Sequence, residues 1–186
     1  MQPVTVQIEA TPNPRSLKFV TNIRFLETGG RDFPAREAAR QGSPLAAKLF
    51  DLPGVDGVYI GTHFVTVSKT DAVDWQAASQ DVIKTLLDHL GVGLPVFGES
   101  AHAAHDAAEG DVAQRIQDVL DEYVRPAVAQ DGGDVIFRGY VEGIVKLQLQ
   151  GSCNGCPSST MTLKMGIENM LKEQIPEVQG VEQVSY

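Results

Sequence analysis

Cysteine is nearly absent from this 186-residue chain, which has two, three positions apart at Cys153 and Cys156. A disulfide-built scaffold spreads more cysteines along its length, so that class is excluded. Long apolar runs are missing as well: no stretch approaches the ~18 residues that cross a bilayer. The opening Met1-Gln2-Pro3-Val4-Thr5 lacks the basic start and apolar stretch of a secretory signal. Basic charge is scarce in one half. Residues 1–98 carry nine Lys and Arg against ten Asp and Glu, a net −1, whereas residues 99–186 carry six against fourteen, a net −8. An acidic surface repels phosphate backbones, so nucleic acid is not an expected partner, and with no spanning run neither is a membrane. No Ser/His/Asp set and no phosphate-binding loop is present, so an enzyme is not expected. A reducing compartment suits this cysteine usage.

What is present is enough for packed cores, with 42% apolar and 21% charged residues. The stretch 98–110 holds no large apolar residue and cannot bury a face, which predicts a flexible linker. It separates an expected domain over residues 1–97 from another over residues 111–186. In the first, Val4, Val6 and Ile8 alternate with polar residues as in a half-buried strand. Thr11-Pro12-Asn13-Pro14 breaks it, and extended structure resumes at Leu17–Val20 and Asn22–Leu26. Ser43-Pro44 begins a short helix. Val55–Ile60 and His63–Ser68 make a hairpin, and Trp75, Ala78, Val82, Leu86 and Leu90 mark a long amphipathic helix ended by Gly91.

The second domain opens with a helix whose face carries Val112, Ile116, Val119, Leu120 and Tyr123, with Pro126 just past its end. Asp131-Gly132-Gly133-Asp134 reads as a turn. Val135–Tyr140 and Ile144–Gln150 form a hairpin through Glu142-Gly143, with Val145, Leu147 and Leu149 inward and Lys146, Gln148 and Gln150 outward. A helix with Leu163, Ile167, Met170 and Leu171 on one stripe runs to Pro176, and Val178–Val184 is a last strand. The fold class is α+β: two small mixed domains joined by a linker, the second in α-β-β-α-β order.

Cys153 and Cys156 sit between strand and helix in Gly151-Ser152-Cys153-Asn154-Gly155-Cys156-Pro157-Ser158. Two soft thiolates at this spacing suit Zn²⁺, a disulfide or an iron–sulfur cluster. Pro157 disfavours a helical backbone at Cys156 and favours a helix starting at itself. Both thiols therefore belong to the loop before the helix, at the positive end of its dipole, which stabilises thiolates. Two thiolates do not complete a four-ligand site, and a symmetric dimer is the simplest completion. Neither cysteine belongs to the core stripes, so the fold should survive their loss. The competing reading is a thiol–disulfide redox pair, but there the second cysteine lies within the helix, which Pro157 opposes. His102 and His105 in the linker, and the isolated His63 and His89, are read as solvated or structural. Packing is the expected role of Trp75 and Phe64.

The ordered motifs Asp131-Gly132-Gly133-Asp134, Gly151-Ser152-Cys153-Asn154-Gly155-Cys156-Pro157-Ser158-Ser159, Thr162-Leu163 and Gly166-Ile167-Glu168 closely resemble the NifU-type (Nfu) domain. Thr11-Pro12-Asn13-Pro14 with Leu17-Lys18-Phe19, Ser43-Pro44-Leu45-Ala46 with Leu49-Phe50, and Phe64-Val65-Thr66-Val67 resemble the N-terminal domain paired with it in Nfu proteins. The resemblance implies a carrier that binds a [4Fe–4S] cluster between two subunits and delivers it to apo iron–sulfur proteins. It implies Cys153 and Cys156 as the ligands and an upstream assembly scaffold as donor. It places the chain in a bacterial cytoplasm or, as the alternative, in the mitochondrial matrix as a mature form.

Overall fold

The computed structural model describes residues 3–98, 110–154 and 157–184. The chain divides into two compact units, Met1–Ala103 and Ala104–Tyr186, each with its own apolar core. Most of the expected linker, residues 99–109 with His102 and His105, lies outside the described residues.

Unit 1 contains β1 (Val6–Ala10), β2 (Ser16–Thr21), β3 (Arg31–Phe33), α1 (Arg36–Gly42), α2 (Pro44–Phe50), β4 (Val55–Ile60), β5 (Phe64–Lys69) and α3 (Trp75–Gly91). Its sheet is wholly antiparallel in the order β1-β2-β5-β4-β3. Phe19, Ile60, Val65 and Val67 from the strands pack with Leu45, Leu49, Val82 and Leu86 from α2 and α3. Ser43 caps α2 as expected, accepting a hydrogen bond from the Ala46 amide at 3.0 Å, with Pro44 at the first turn. Asp74 caps α3 in the same way through the Gln76 amide at 2.8 Å. β1 is paired on one side only, and Ile8 stays exposed, so its burial is less than the alternation suggested. Residues 22–26 form no strand; the Phe25 amide donates to the Thr62 carbonyl at 2.6 Å instead. Sequence periodicity also missed β3 and α1. The helix α1 buries only Ala39, so no apolar stripe announces it.

Unit 2 runs α4 (Asp111–Val119), a π-helical turn (Leu120–Val124), α5 (Arg125–Gln130), β6 (Gly133–Val141), β7 (Ile144–Gly151), α6 (Pro157–Gln174) and β8 (Gly180–Gln183). Read with the first three pieces as one helical segment, this is the expected α-β-β-α-β order. Pro126 does not end that segment. A proline lacks a donor and crowds the carbonyl four residues back; here a wider turn precedes it, and the helix goes on to Gln130. The same turn leaves Tyr123 half-exposed and turns Leu120 and Val124 inward. Glu142 and Gly143, at φ 51° and 85°, close the β6–β7 hairpin, the two-residue turn whose twist matches paired strands. β8 pairs with β7 in parallel, which requires a crossover, and α6 supplies it. Gln148 and Gln150 are buried rather than solvent-facing. Gln148 compensates in part by accepting a hydrogen bond from the Arg138 guanidinium at 2.7 Å.

Candidate functional site

The crossover places the five residues 152–156 between the end of β7 and the start of α6. Gly151 turns the chain out of the strand at φ 64°, and the Asn154 amide closes back on the Gly151 carbonyl at 3.1 Å. α6 starts at Pro157, as its fixed φ favours, and the first turn of any helix carries free backbone amides and the positive end of its dipole. Cys153 lies in this loop and is 5% exposed, counted within the core of unit 2 beside Val135, Leu149 and Val128. That corrects the expectation that the thiols stand apart from the core: the loop folds back, so its first cysteine shares the apolar interior. Cys156 lies outside the described residues.

The Asp131–Asp134 segment is more than a turn. Gly132, at φ 78°, makes the reversal after α5. Its carbonyl accepts a hydrogen bond from the Ser152 amide at 3.2 Å, and the Ser152 hydroxyl donates to the Asp131 carbonyl. Gly133 then opens β6 directly against the thiol. A Cβ there would stand 2.6 Å from the Cys153 Sγ and 2.7 Å from the Gln150 carbonyl oxygen. The second glycine is therefore required by space at the cysteine, whereas the first serves the turn. Asp134 is buried; its carboxylate accepts from the Val135 amide at 2.7 Å and faces the Arg125 Nε at 3.7 Å. The Arg125 Nε also donates to the Val135 carbonyl at 3.2 Å, pinning α5 to β6. Sequence reasoning missed this buttress. Its one signal was the doubled glycine, since a turn of this kind needs only one.

The far side of the crossover is tied through Glu168 on α6. Its carboxylate accepts from the Lys172 ammonium at 2.5 Å and from the Val181 amide of β8 at 3.2 Å. The lysine hydrogen bond, followed by the backbone one, holds its carboxyl below the usual carboxylate range.

Among the described residues no group of three or more His, Cys, Asp and Glu side chains could hold a metal ion. His63 is exposed and bonds the Thr62 hydroxyl at 2.9 Å. His89 is 1% exposed, and its Nε2 donates to the Pro95 carbonyl at 3.0 Å. Its Nδ1 is buried without a partner, and burial holds its pKa below the ordinary histidine value. Phe64 is buried, and Trp75 packs near Phe19 while its indole N–H donates to the Pro14 carbonyl at 3.1 Å. Among the described residues, no helix is long and apolar enough to cross a membrane.

Comparison with known proteins gives a concordant result. The NifU-like domain model matches residues 116–182, and the model described as scaffold protein Nfu/NifU N terminal matches residues 6–93. The human protein named NFU1 iron-sulfur cluster scaffold homolog, mitochondrial, is 47% identical over 182 residues, 96% of this chain and 71% of its own length. The Drosophila ananassae protein of the same name is 45% identical over 183 residues, 96% of this chain and 64% of its own length. The chain thus spans less than two thirds of that fly relative. A solution structure of a NifU-like protein from Saccharomyces cerevisiae is similar at 23% identity and a TM-score of 0.47, over 54% of this chain and 89% of that one.

Proposed function

This chain belongs to the Nfu family of iron–sulfur cluster scaffold proteins, and from that premise we propose that it carries a [4Fe–4S] cluster between two copies and hands it to apo-proteins. Cys153 and Cys156 of each copy supply the four thiolates. The cluster is cargo rather than a resident cofactor. Loops contributing two thiolates apiece, once loading has drawn Cys153 out of the core, let an acceptor cysteine exchange one ligand at a time. The acidic residues 99–186 draw in basic client surfaces, an attraction that salt weakens.

The observation that best supports this reading is the setting of Cys153: a loop at a helix start, fixed by Ser152 and cleared by Gly133. Burial of Cys153 in the iron-free protein adds a consequence. The thiol is shielded from casual oxidation, and loading must draw it out of the core. The same burial argues against thiol–disulfide exchange, which needs an accessible thiolate. We assign no catalysis to the chain. The human and fly relatives are named mitochondrial, which lends weight to the matrix, the second of the two compartments considered above.

Anaerobic reconstitution tests the proposal. Mössbauer spectra, iron and sulfide counts and native mass should together give one four-iron cluster per pair of chains. The loaded protein should activate a four-iron apo-enzyme even with an iron chelator present. Rapid disulfide reduction by the iron-free protein, with transfer abolished by chelator, would replace this reading with the redox one.

A further inference from the structure

Unit 1 holds a positive charge that nothing around it answers. Residues 1–98 contain five arginines. Arg15 pairs with Asp56 at 2.6 Å, Arg24 with Glu27 at 3.6 Å and Arg36 with Asp51 at 2.6 Å, while Arg40 is exposed. Arg31 is half-buried, and among the described residues its buried Nε and Nη1 find no acceptor. Burial lowers its pKa, and no charged neighbour of either sign contributes. Buried polar groups without a partner are uncommon in folded chains, and a buried charge is costly until an opposite charge meets it.

The surroundings hold this guanidinium in one place. Arg31 opens β3, an outermost strand, and stands opposite Ile60 of β4. Ile60 and Phe33 belong to the core, so Arg31 shares their face of the sheet. There its guanidinium carbon lies 4.4 Å from the centre of the Phe97 ring. The segment carrying Phe97 is fastened on both sides. The Pro95 carbonyl accepts from His89 at 3.0 Å, the Val96 carbonyl accepts from the Ser43 hydroxyl at 2.5 Å, and the Gly98 amide donates to the Gly42 carbonyl at 3.0 Å. A fixed ring sets the plane of the cation stacked on it. Packing alone asks for no charge here, since an unbranched apolar side chain would cover the ring as well. Nη2 is not sealed with Nε and Nη1, which leaves a way in at the end of the fork.

We propose that Arg31, held against Phe97, is a binding site for a single carboxylate, either free or carried on a polypeptide. Shape and charge select that class. Nη1 and Nη2 offer parallel N–H donors that match the two oxygens of a carboxylate. The carboxylate meets Nη2 first and takes Nη1 as it enters. One guanidinium balances one negative charge. A phosphate monoester carries about −1.5 to −2 and asks for further cations, and none acts on this group. The site uses no cysteine, so it gives unit 1 a binding role separate from cluster carriage.

The test titrates the full iron-free chain, isotope-labelled in arginine. The Arg31 Nε–H signal is identified by its absence from Arg31→Gln and from Arg31→Lys. Four probes are added at constant ionic strength with chloride as reference: acetate, inorganic phosphate, and an N-acetylated alanine peptide ending in a free carboxylate or in an amide. Acetate and the free-acid peptide should shift the signal saturably, at least ~10-fold tighter than chloride, about 1.4 kcal/mol, and the amidated peptide should leave it in place. Tighter binding of the free-acid peptide than of acetate assigns the site to polypeptides; equal affinities assign it to free carboxylates. Acetate should also raise the melting midpoint of wild type above its value in chloride, and not that of Arg31→Lys, which keeps the charge and loses the fork. A signal that responds equally to chloride and acetate overturns the proposal, because the guanidinium then meets only solvent. Tighter binding of phosphate than of acetate overturns it too, as does equal stabilisation of Arg31→Lys by acetate. If one variant does not fold, the other identifies the signal, and the wild-type titration decides.

Discussion

The two units enclose separate cores, yet they spend their polar side chains and glycines differently. In unit 1 short polar groups fasten loops. The Thr11 hydroxyl donates to the Asn13 carbonyl at 2.9 Å, Ser16 and Ser68 share a hydrogen bond of 2.8 Å across the sheet, and the Ser43 hydroxyl donates to the Val96 carbonyl at 2.5 Å. These ties hold loops and strands in place and gather round no reactive atom. In unit 2 Gly133 stands against one thiol, while Gly132 and Gly151, both at positive φ, turn the chain on either side of it. There the main chain is shaped around a reactive atom. Buried polar residues alone therefore do not mark a site; backbone cleared to make room for a nucleophilic or metal-binding atom does.

The sharpest way to break this contrast is to remove the thiols. Cys153→Ala or Cys156→Ala should abolish cluster binding as read by visible absorption and iron content. Because Cys153 is buried, its replacement should also lower the stability of unit 2 by about 1 kcal/mol, the scale of losing a small buried group. A single variant retaining full iron would remove the assignment of that residue.

Next in size is Gly133→Ala. The backbone there has no positive φ, so the penalty is steric: a Cβ 2.6 Å from Sγ and 2.7 Å from a carbonyl. A loss of about 1–3 kcal/mol is expected, with reduced cluster uptake. The matched control lies in unit 1, where a Cβ on Gly57 would meet only Ser68 at 3.4 Å. Gly57→Ala should leave uptake unchanged. Equal effects of the two changes on uptake would erase the distinction between the units.

Ser43→Ala probes the unit 1 side. It removes the α2 cap and the bond to Val96, and should cost about 1 kcal/mol in thermal or denaturant unfolding while cluster loading is spared.

The smallest expected effect is a pH dependence confined to unit 1. Burial lowers the His89 pKa in the folded protein, with the Lys48 charge acting in the same direction and the Pro95 hydrogen bond opposing. The unfolded chain, titrating near 6.5, therefore binds the proton more readily. Stability contributed by neutral His89 is fully present above about pH 6.5 and declines as pH falls through that value. Residues 111–186 contain no histidine. Hydrogen exchange followed between pH 7.5 and 5.5 should show unit 1 opening first, and His89→Gln should flatten the trend.

The start of α6 at Pro157, just after the Cys153 loop, and the α-β-β-α-β order were legible in the sequence, because Pro157 and period-two alternation are local signals. Less legible was whatever depends on distant neighbours. Gly133 declares its purpose only when β6 lies beside the loop after β7. Gln148 reads as outward by alternation, yet Arg138 meets it indoors. Pro126 reads as a terminator until a π-helical turn absorbs it. The helix α1 has no stripe to read, since a single alanine anchors it.

The parallel pairing of β7 with β8 also orders events in time. β6 and β7 close through a two-residue turn, an event of roughly microseconds in isolated hairpins. β8 reaches β7 only after the chain from Gly151 to Gly180 has closed, and such long-range closure is intrinsically slower. The cysteine loop has one end in the early hairpin and the other in the late crossover. A nascent or refolding chain thus offers iron two loose thiols before it offers a site. On this hypothesis, pulsed hydrogen exchange during refolding should protect β7 amides facing β6 before those of β8, and simultaneous protection would show that the site forms all at once.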